Sequence, residues 1–386
     1  MYLLPKPKTI KEQDGQMLLC HSTHIVMTKE VAETEMHAAK RLQEAIRQET
    51  GLILPFSVGE VREGDLSLGI AKTLPEQTYE ITIDEKGGQI SGGDGAGVLY
   101  GVETFCQIVQ QCGGILPCVQ IQDAPDMPNR GYYFDQTRGR VLKLEELKKI
   151  ADRMCRYKLN QLQLYVEHTY LFRDFSEMWR DQTPLTAEEI RELDSYCRER
   201  HIELVPSLAS FGHLCTLLST KTYGDLCEME DSWKEPFSFW NRMRYHTINV
   251  SDERSLPLIK KMIAEYMQLF SSNKFNICAD ETFCLGKYKS KKLAEERGVH
   301  RLYIDYVKEL AQFLVENGKI PMFWGDIIWN SPELMKELPE SMICLNWGYA
   351  PEQREDETRA IAQTGAVQYL CPGVCGWNQW ANLIEN

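Results

Sequence analysis

Residues 130–166, RGYYFDQTRGRVLKLEELKKIADRMCRYKLNQLQLYV, contain the pattern that decides the fold. A short apolar stretch at 131–135 predicts a strand, and the spacing of apolar residues over 144–158 predicts an amphipathic helix. Residues 161–166 alternate between polar and apolar side chains, which indicates a second strand. A strand, a helix and a strand in this order form a parallel βαβ unit.

The same alternation continues through the rest of the chain. Further strands are predicted at 202–206, 275–279, 320–324, 342–346 and 366–370, separated by helices at 186–200, 256–270 and 300–316. Thr186 and Glu189 form a capping box at the start of one of these helices. Seven strands favour a (β/α)8 barrel of the TIM type over an open doubly wound sheet. We therefore expect residues 130–386 to be a barrel domain whose eighth strand is missing from this chain.

The first 125 residues show a different pattern, and a small α+β domain is predicted there. An amphipathic helix is expected over 31–49, a strand over 78–83, and a glycine-rich turn at 92–97 before an apolar helix. Such a turn can bind phosphate, but the spacing fits neither GxGxxG nor a P-loop, so a packing role is favoured. Two prolines in the stretch 121–129 indicate a linker.

The composition of the chain limits the kinds of molecule that this protein is expected to bind. The chain has 386 residues, 43% of them hydrophobic, and a net charge of −13, which argues against nucleic acid as a partner. No uncharged apolar stretch approaches the ~18 residues of a membrane span, and the first residues do not form a signal peptide. The 13 cysteines include no CxxC pair, so we interpret them as buried thiols. A cytoplasmic protein without a metal or cofactor is expected, and secretion with cleavage of an upstream leader absent from this chain stays open as the alternative.

Polar and aromatic residues follow every predicted barrel strand, where the working residues of such a barrel lie. In strand order they are Asp135 and Arg138, Glu167 and His168, Ser207 and His213, Asp280 and Glu281, Trp324 and Asp326, Trp347 and Tyr349, and Tyr369 with Trp377. Carboxylates, an arginine and aromatic rings gathered at one rim are typical of a sugar pocket.

Several of these residues also have a purely structural interpretation. Asp280 and Glu281 could be the cap and first-turn acid of a helix, and tryptophans are more often core than ligand wall. Glu167 beside His168 could indicate a metal, but the sequence shows no third ligand nearby. A functional role is favoured for the whole set because separate strands bring these residues to the same rim.

These residues resemble glycoside hydrolase family 20 along nearly the whole chain. The segment 92–109 is similar to the end of that family's small N-terminal domain, and 130–138 resembles its first barrel strand. Asp280-Glu281 matches the family's catalytic Asp-Glu pair. The resemblance implies an exo-acting, retaining β-N-acetylhexosaminidase that removes terminal N-acetylglucosamine or N-acetylgalactosamine. In that family the substrate's own acetamido group attacks, giving an oxazoline intermediate without a cofactor.

The resemblance also implies roles for individual residues. Glu281 would be the general acid and base, and Asp280 would orient the acetamido N–H. The implied substrate-binding residues are Arg138 at O3 and O4, Glu167 and His213 beside the acid, the aromatic residues Trp324, Trp347 and Trp377, and Tyr369 at the acetamido carbonyl. The chain departs from the family pattern at Glu167-His168, where better-known members carry two aspartates, and at Cys371, where aspartate is frequent.

Three alternatives stay open from the sequence. The chain could be a retaining glycosidase with a conventional carboxylate nucleophile such as Glu167, a non-catalytic carbohydrate-binding barrel, or a barrel enzyme of unrelated chemistry. Adjacent residues at a strand end point in different directions, which is why Asp280 and Glu281 do not suit the facing pair of a conventional mechanism.

Overall fold

The computed structural model of this protein describes residues 1–350 and 354–374. The chain divides into two compact units. The first contains Met1–Tyr132, Leu144–Leu162 and Ser195–Glu203, and the second contains Tyr133–Lys143, Gln163–Asp194 and the residues from Leu204 onward. All the residues proposed below for the active site belong to the second unit.

The first unit is built on a seven-stranded mixed sheet. Its strands are β1 (Thr9–Leu18), β2 (Ile25–Met27), β3 (Phe56–Val58), β4 (Leu66–Ile70), β5 (Tyr79–Asp84), β6 (Gly87–Gly92) and β7 (Ile115–Asp123), in the order β1-β7-β5-β6-β4-β2-β3. Alternate residues of β5 are buried, as expected for a strand with one face on the core. The strand predicted at 78–83 is therefore present, one residue later along the chain.

Four helices belong to this unit: α1 (Lys29–Thr34), α2 (Met36–Thr50), α3 (Gly95–Cys112) and α4 (Leu144–Arg156). The single helix predicted over 31–49 is wrong, because Glu35 leaves the helical region at φ −120° and ψ 27° and divides it. At the start of α3, the Asp94 carboxylate accepts the N–H of Gly97 at 2.7 Å. A Cβ on Gly97 would lie 2.2 Å from the carbonyl oxygen of Thr78, so this glycine allows close backbone packing.

The second unit contains the strands of a (β/α)8-type barrel, seven of them in the described part of the chain. They are β8 (Gly131–Asp135), β9 (Gln161–Val166), β10 (Glu203–Leu208), β11 (Lys274–Asn276), β12 (Ile320–Trp324), β13 (Ile343–Gly348) and β14 (Val367–Pro372), in sequential order. Every predicted barrel strand is present, with ends that differ by up to three residues. All six residues of β9 are buried, which is typical of a parallel strand covered on both faces.

The remaining helices lie between these strands along the chain: α5 (Ser176–Trp179), α6 (Ala187–Arg198), α7 (Cys215–Leu218), α8 (Phe239–Arg244), α9 (Ser255–Tyr266), α10 (Lys291–Arg297), α11 (Val299–Glu316) and α12 (Glu355–Ala362). The predicted capping box is confirmed at α6. There the N–H of Glu189 donates to Thr186 Oγ1 at 3.2 Å, and the N–H of Thr186 donates to Glu189 Oε2 at 2.9 Å.

The strand register brings the carboxyl ends of the strands to one edge. Strands β10 to β14 pair in parallel, Trp324 lies opposite Leu345, and Leu345 lies opposite Tyr369. Side chains that follow these strands therefore share one rim. None of the helices in the described ranges is long and apolar enough to span a bilayer. The twelve cysteines in those ranges are all free thiols.

Candidate active site

Asp280 and Glu281 lie in the loop that follows β11, well before α10 begins at Lys291. The interpretation of these acids as a helix cap is therefore wrong. The loop has an unusual backbone, because Cys278, Ala279 and Glu281 have φ values of 57°, 62° and 47°. A left-handed backbone at residues other than glycine costs about 1–3 kcal/mol each and persists where the surrounding structure holds it. The loop is thus held in a strained conformation at the two carboxylates.

His213 lies between the two carboxylates. Its Nε2 atom is 3.4 Å from Asp280 Oδ2 and 3.2 Å from Glu281 Oε2, and its side chain is 2% exposed. These contacts are ion pairs rather than well-aligned hydrogen bonds, since neither ring nitrogen meets hydrogen-bond geometry with any described residue. The preceding residue must be glycine for the loops to approach this closely, because a Cβ on Gly212 would lie 2.5 Å from the Asp280 carbonyl oxygen.

The charges around His213 set its protonation state. Burial by itself would lower its pKa, but the carboxylates of Asp280 and Glu281, with a smaller contribution from Glu167, raise the pKa to about 10. Burial likewise opposes ionisation of Asp280, yet the charges of His213 and Arg138 hold the pKa of that carboxyl below its usual value. At neutral pH the centre therefore contains an imidazolium next to an ionised aspartate.

A third carboxyl supports the strained loop. The N–H of Glu281 donates to Asp326 Oδ2 at 3.0 Å, so Asp326, two residues beyond Trp324 on β12, holds the backbone of the predicted acid. Its Oδ1 atom is buried and has no hydrogen-bond partner among the described residues. Burial and the neighbouring charge of Asp280 raise the pKa of Asp326 to about 8, so this carboxyl holds a proton at neutral pH.

Arg138 lies beside this centre, as predicted. Its Nε donates to Asp135 Oδ2 at 2.6 Å, and its guanidinium lies 4.6 Å from the centroid of the Tyr165 ring. The Nη1 atom is also 3.3 Å from the sulfur of Met243. These contacts fix the direction of the guanidinium. A fixed direction is required of a residue that donates hydrogen bonds to two sugar hydroxyls at once.

Glu167 is buried and already held by two groups. Tyr165 donates its hydroxyl to Oε1 at 2.9 Å, and Arg242 donates to Oε2 at 2.8 Å. The Nδ1 atom of the neighbouring His168 lies 3.9 Å from Glu167 Oε2 and 3.2 Å from Thr216 Oγ1. No contact joins Glu167 to Glu281 in the described residues. The charge of Glu167 contributes instead to the raised pKa of His213, and its predicted influence on the acid stays a prediction.

Arg242 and Met243 are missing from the sequence-based prediction. They belong to α8, inside the long connection between β10 and α9, and not to the end of a strand. A search of strand ends therefore does not find them. The signal that could have found them is the local composition FWNRMR, where aromatic and basic residues occur side by side within this connection.

The predicted aromatic residues differ in how they are placed. Trp324 is 6% exposed and packs edge-to-face on Tyr133, with the ring centroids 4.8 Å apart. Trp347 packs against the rings of Trp329 and Tyr349, with centroids 6.0 and 5.3 Å away. Tyr369 lies on β14 at the same edge. Trp377 lies outside the described residues.

The three central side chains could also coordinate a cation. One ligand atom each from His213, Asp280 and Glu281 lie within 4.8 Å of one another. A raised histidine pKa disfavours this, since a metal needs the neutral imidazole. The expectation that no metal is needed stays a prediction, which dialysis against a chelator would test.

Comparison with known proteins identifies the family of the chain. The sequence profile of the catalytic domain of glycosyl hydrolase family 20 matches residues 128–375, and the profile of domain 2 of that family matches residues 1–124. The chain belongs to glycosyl hydrolase family 20. The resemblance stated from the sequence is confirmed, and the barrel described above is the barrel of this family's catalytic domain.

Individual β-hexosaminidases are similar to this chain in sequence and in fold. A β-hexosaminidase of Porphyromonas gingivalis is 24% identical over 411 residues, which cover 97% of this chain and 50% of the relative. The chain therefore spans about half the length of that protein. A β-N-acetylhexosaminidase structure from Bacteroides fragilis superposes with a TM-score of 0.78 at 18% identity, covering 98% of this chain and 78% of that one.

A second similar structure contains a bound sugar. It is an exo β-N-acetylglucosaminidase from Vibrio harveyi in complex with N-acetylglucosamine, with a TM-score of 0.77 and 19% identity. The match covers 96% of this chain and 60% of that chain. At these identities the two structures establish the fold.

Proposed function

We propose that this chain is an exo-acting, retaining β-N-acetylhexosaminidase that works by substrate-assisted catalysis. The observation that carries the proposal is His213, which lies between the carboxylates of Asp280 and Glu281 and contacts both. A conventional retaining pair faces across the sugar at ~5 Å. Here one imidazole nitrogen contacts an oxygen of each carboxylate, and the three atoms lie within 4.8 Å of one another, which is not the arrangement of a pair that faces across a sugar ring.

The other candidate nucleophile is also engaged. Glu167 is 3% exposed, and both its oxygens accept hydrogen bonds, from Tyr165 and Arg242. At this exposure the carboxylate offers little access to an anomeric carbon, and its two partners fix its direction. The substrate's own acetamido oxygen removes the need for a protein nucleophile, which supports substrate assistance.

The proposed reaction has two steps at one carbon. Glu281 donates its proton to the glycosidic oxygen while the acetamido oxygen attacks C1, so the C1–O bond to the leaving group breaks and an oxazolinium ion forms. Asp280, ionised at neutral pH, accepts the acetamido N–H and balances the charge that develops there. Glu281 then takes a proton from water, which attacks C1 and restores the acetamido group with net retention.

The remaining residues would position the terminal sugar. Arg138 would donate to O3 and O4, which leaves no room for a further sugar at that end and makes cleavage exo. Tyr369 would hold the acetamido carbonyl oxygen, between the walls formed by Trp324 and Trp347. The substrate would be a terminal N-acetylglucosamine or N-acetylgalactosamine of an oligosaccharide or glycoconjugate. We also propose a cytoplasmic location, which cell fractionation tests.

The direct test compares an aryl N-acetyl-β-glucosaminide with the matching aryl β-glucoside. Cleavage of the acetamido substrate alone is expected, because the glucoside has no group to attack C1. Equal rates on both would refute substrate assistance and favour a carboxylate nucleophile. Both substrates are also run on a chain lengthened beyond Asn386, since the present one spans about half of its relative. Sugar binding without cleavage by either chain would favour the carbohydrate-binding alternative.

A further inference from the structure

In the described part of the chain, the exposed tryptophan and phenylalanine residues are concentrated in the connections that carry the candidate active site. Among the described residues, every exposed tryptophan and phenylalanine lies between positions 233 and 283: Trp233, Phe237, Phe239, Trp240 and Phe283. This stretch includes the connections that follow β10 and β11, at the same end of the strands as Asp280 and Glu281. Clustered apolar side chains left in solvent on one face usually mark a binding surface.

Three residues of this stretch form one continuous surface, which we call the aromatic platform: Trp240, Arg244 and Phe283. The guanidinium of Arg244 lies 5.0 Å from the centroid of the Trp240 ring and 5.8 Å from that of Phe283. Arg244 therefore bridges the two loops. Its carbonyl oxygen also accepts a hydrogen bond from the Cys284 thiol at 3.1 Å, which connects the two loops next to the platform.

The platform is joined to the catalytic centre from both sides. Phe283 is two residues beyond Glu281, and its N–H donates to the Glu281 carbonyl oxygen at 2.7 Å. On the other side, α8 carries Trp240 and Arg244 one turn apart, at positions that share a helix face. Its intervening residues Arg242 and Met243 point instead to Glu167 and Arg138. One short helix thus contacts the pocket with one face and forms the platform with another.

We propose that the aromatic platform binds the sugar on the leaving-group side of the scissile bond. This inference rests on the proposed function, because Glu281 would protonate the oxygen that this second sugar shares. A group held next to Glu281 and outside the buried pocket would contact the leaving group. The exposed faces of Trp240 and Phe283 suit the C–H face of a pyranose ring, and the Arg244 guanidinium offers planar donors to its hydroxyls. The favoured substrate is therefore an oligosaccharide rather than a glycoside with a small aglycone.

The test compares a disaccharide substrate with one that lacks the second sugar. N,N′-diacetylchitobiose and methyl N-acetyl-β-glucosaminide both release N-acetylglucosamine, so a single assay measures the two. Trp240→Ala should lower the ratio of their kcat/KM values about tenfold, which is about 1.4 kcal/mol of binding to the second sugar. Trp233→Ala is the matched control, because this exposed tryptophan stacks with Lys234 and not with Arg244. It should leave the ratio at the wild-type value. An equal loss on both substrates, or no loss in Trp240→Ala, would overturn the proposal.

A binding measurement separates this proposal from the proposed function. Calorimetric titration of N,N′-diacetylchitobiose into Glu281→Gln and into Glu281→Gln/Trp240→Ala requires no turnover. Affinity about tenfold weaker in the double variant would support the platform even if the chain cleaved nothing. Equal affinity, or no binding to Glu281→Gln at millimolar disaccharide, would overturn the platform even if the aryl substrate were hydrolysed.

Discussion

His213 is the residue whose protonation state most directly tests the electrostatics of the site. We expect it to remain an imidazolium throughout the neutral range. With a pKa of about 10, the charged form exceeds the neutral form by roughly 300 to 1 at pH 7.5. The cause is the pair of carboxylates at 3.4 and 3.2 Å, acting on a ring that is almost fully withdrawn from water.

The same shift has a consequence for stability. Relative to the ordinary histidine value of 6.5, the displacement to about 10 is worth about 5 kcal/mol of folding free energy at 1.4 kcal/mol per unit. Because the folded pKa is raised, this stabilisation is fully present below pH 6.5 and is lost as pH rises towards 10. His213→Gln should therefore be destabilised most at pH 6, and its difference from the wild type should shrink at alkaline pH.

Two measurements check this prediction. In protein labelled with 15N-histidine, the resonances absent from His213→Gln identify the residue, and their shifts should report a charged ring from pH 6 to pH 9. Denaturant unfolding of both proteins across pH 6–10 gives the stability difference, with His300→Gln at an exposed position of α11 as control. A neutral tautomer at pH 7.5, or a stability difference that does not change with pH, would refute the electrostatic reasoning.

The remaining predictions concern the three carboxyl groups. Glu281→Gln should lower turnover by roughly 10²–10⁴, the usual contribution of a general acid and base, in steady-state kinetics on an aryl N-acetyl-β-glucosaminide. An unchanged rate would remove Glu281 from that role. Asp280→Asn should lower turnover severely while the circular dichroism spectrum stays that of a folded protein; its melting temperature should fall, because His213 loses its main counter-charge. Near-normal turnover would contradict the proposed contact of Asp280 with the acetamido group. Asp326→Asn should raise the melting temperature at pH 8.5 more than at pH 5. The folded pKa of this carboxyl is raised to about 8, so ionisation destabilises the wild type as pH rises from about 4 towards 8, and the amide cannot ionise. An equal effect of Asp326→Asn at both pH values would show that the pKa of Asp326 is not raised in the folded protein.

The barrel strands could be predicted because their signals are local. The apolar run at 131–135 and the alternation at 161–166 appear as β8 and β9 with the predicted bounds, and the Thr186–Glu189 box opens α6 as expected. Each of these depends on a few consecutive residues. The prediction of a single helix over 31–49 was wrong because the signal that divides it is not in the apolar pattern. Helical periodicity continues through Glu35, while the break there is a backbone change that the apolar pattern does not record.

The candidate site could be predicted in part. Its residues could be collected from the sequence because strand ends of a parallel barrel meet at one rim, and Arg138, His213, Asp280 and Glu281 are indeed neighbours. The helix-cap interpretation of Asp280 could not be rejected from the sequence, because helices that follow a strand commonly begin with an acidic residue. Arg242 could not be found at all, because it approaches from a loop helix rather than from a strand.

Local patterns in the chain were enough to predict a two-part family 20 protein with an Asp280-Glu281 pair after its fourth barrel strand. Periodicity, caps and adjacent residues are properties of a few neighbouring positions, so they can be read without coordinates. The tertiary structure decided what surrounds the pair. Arg242 reaches Glu167 across 75 positions, and Asp326 reaches the Glu281 backbone across 45. Such contacts, and the pKa of His213 that follows from them, depend on how separate loops pack at one end of the barrel, which no local pattern encodes.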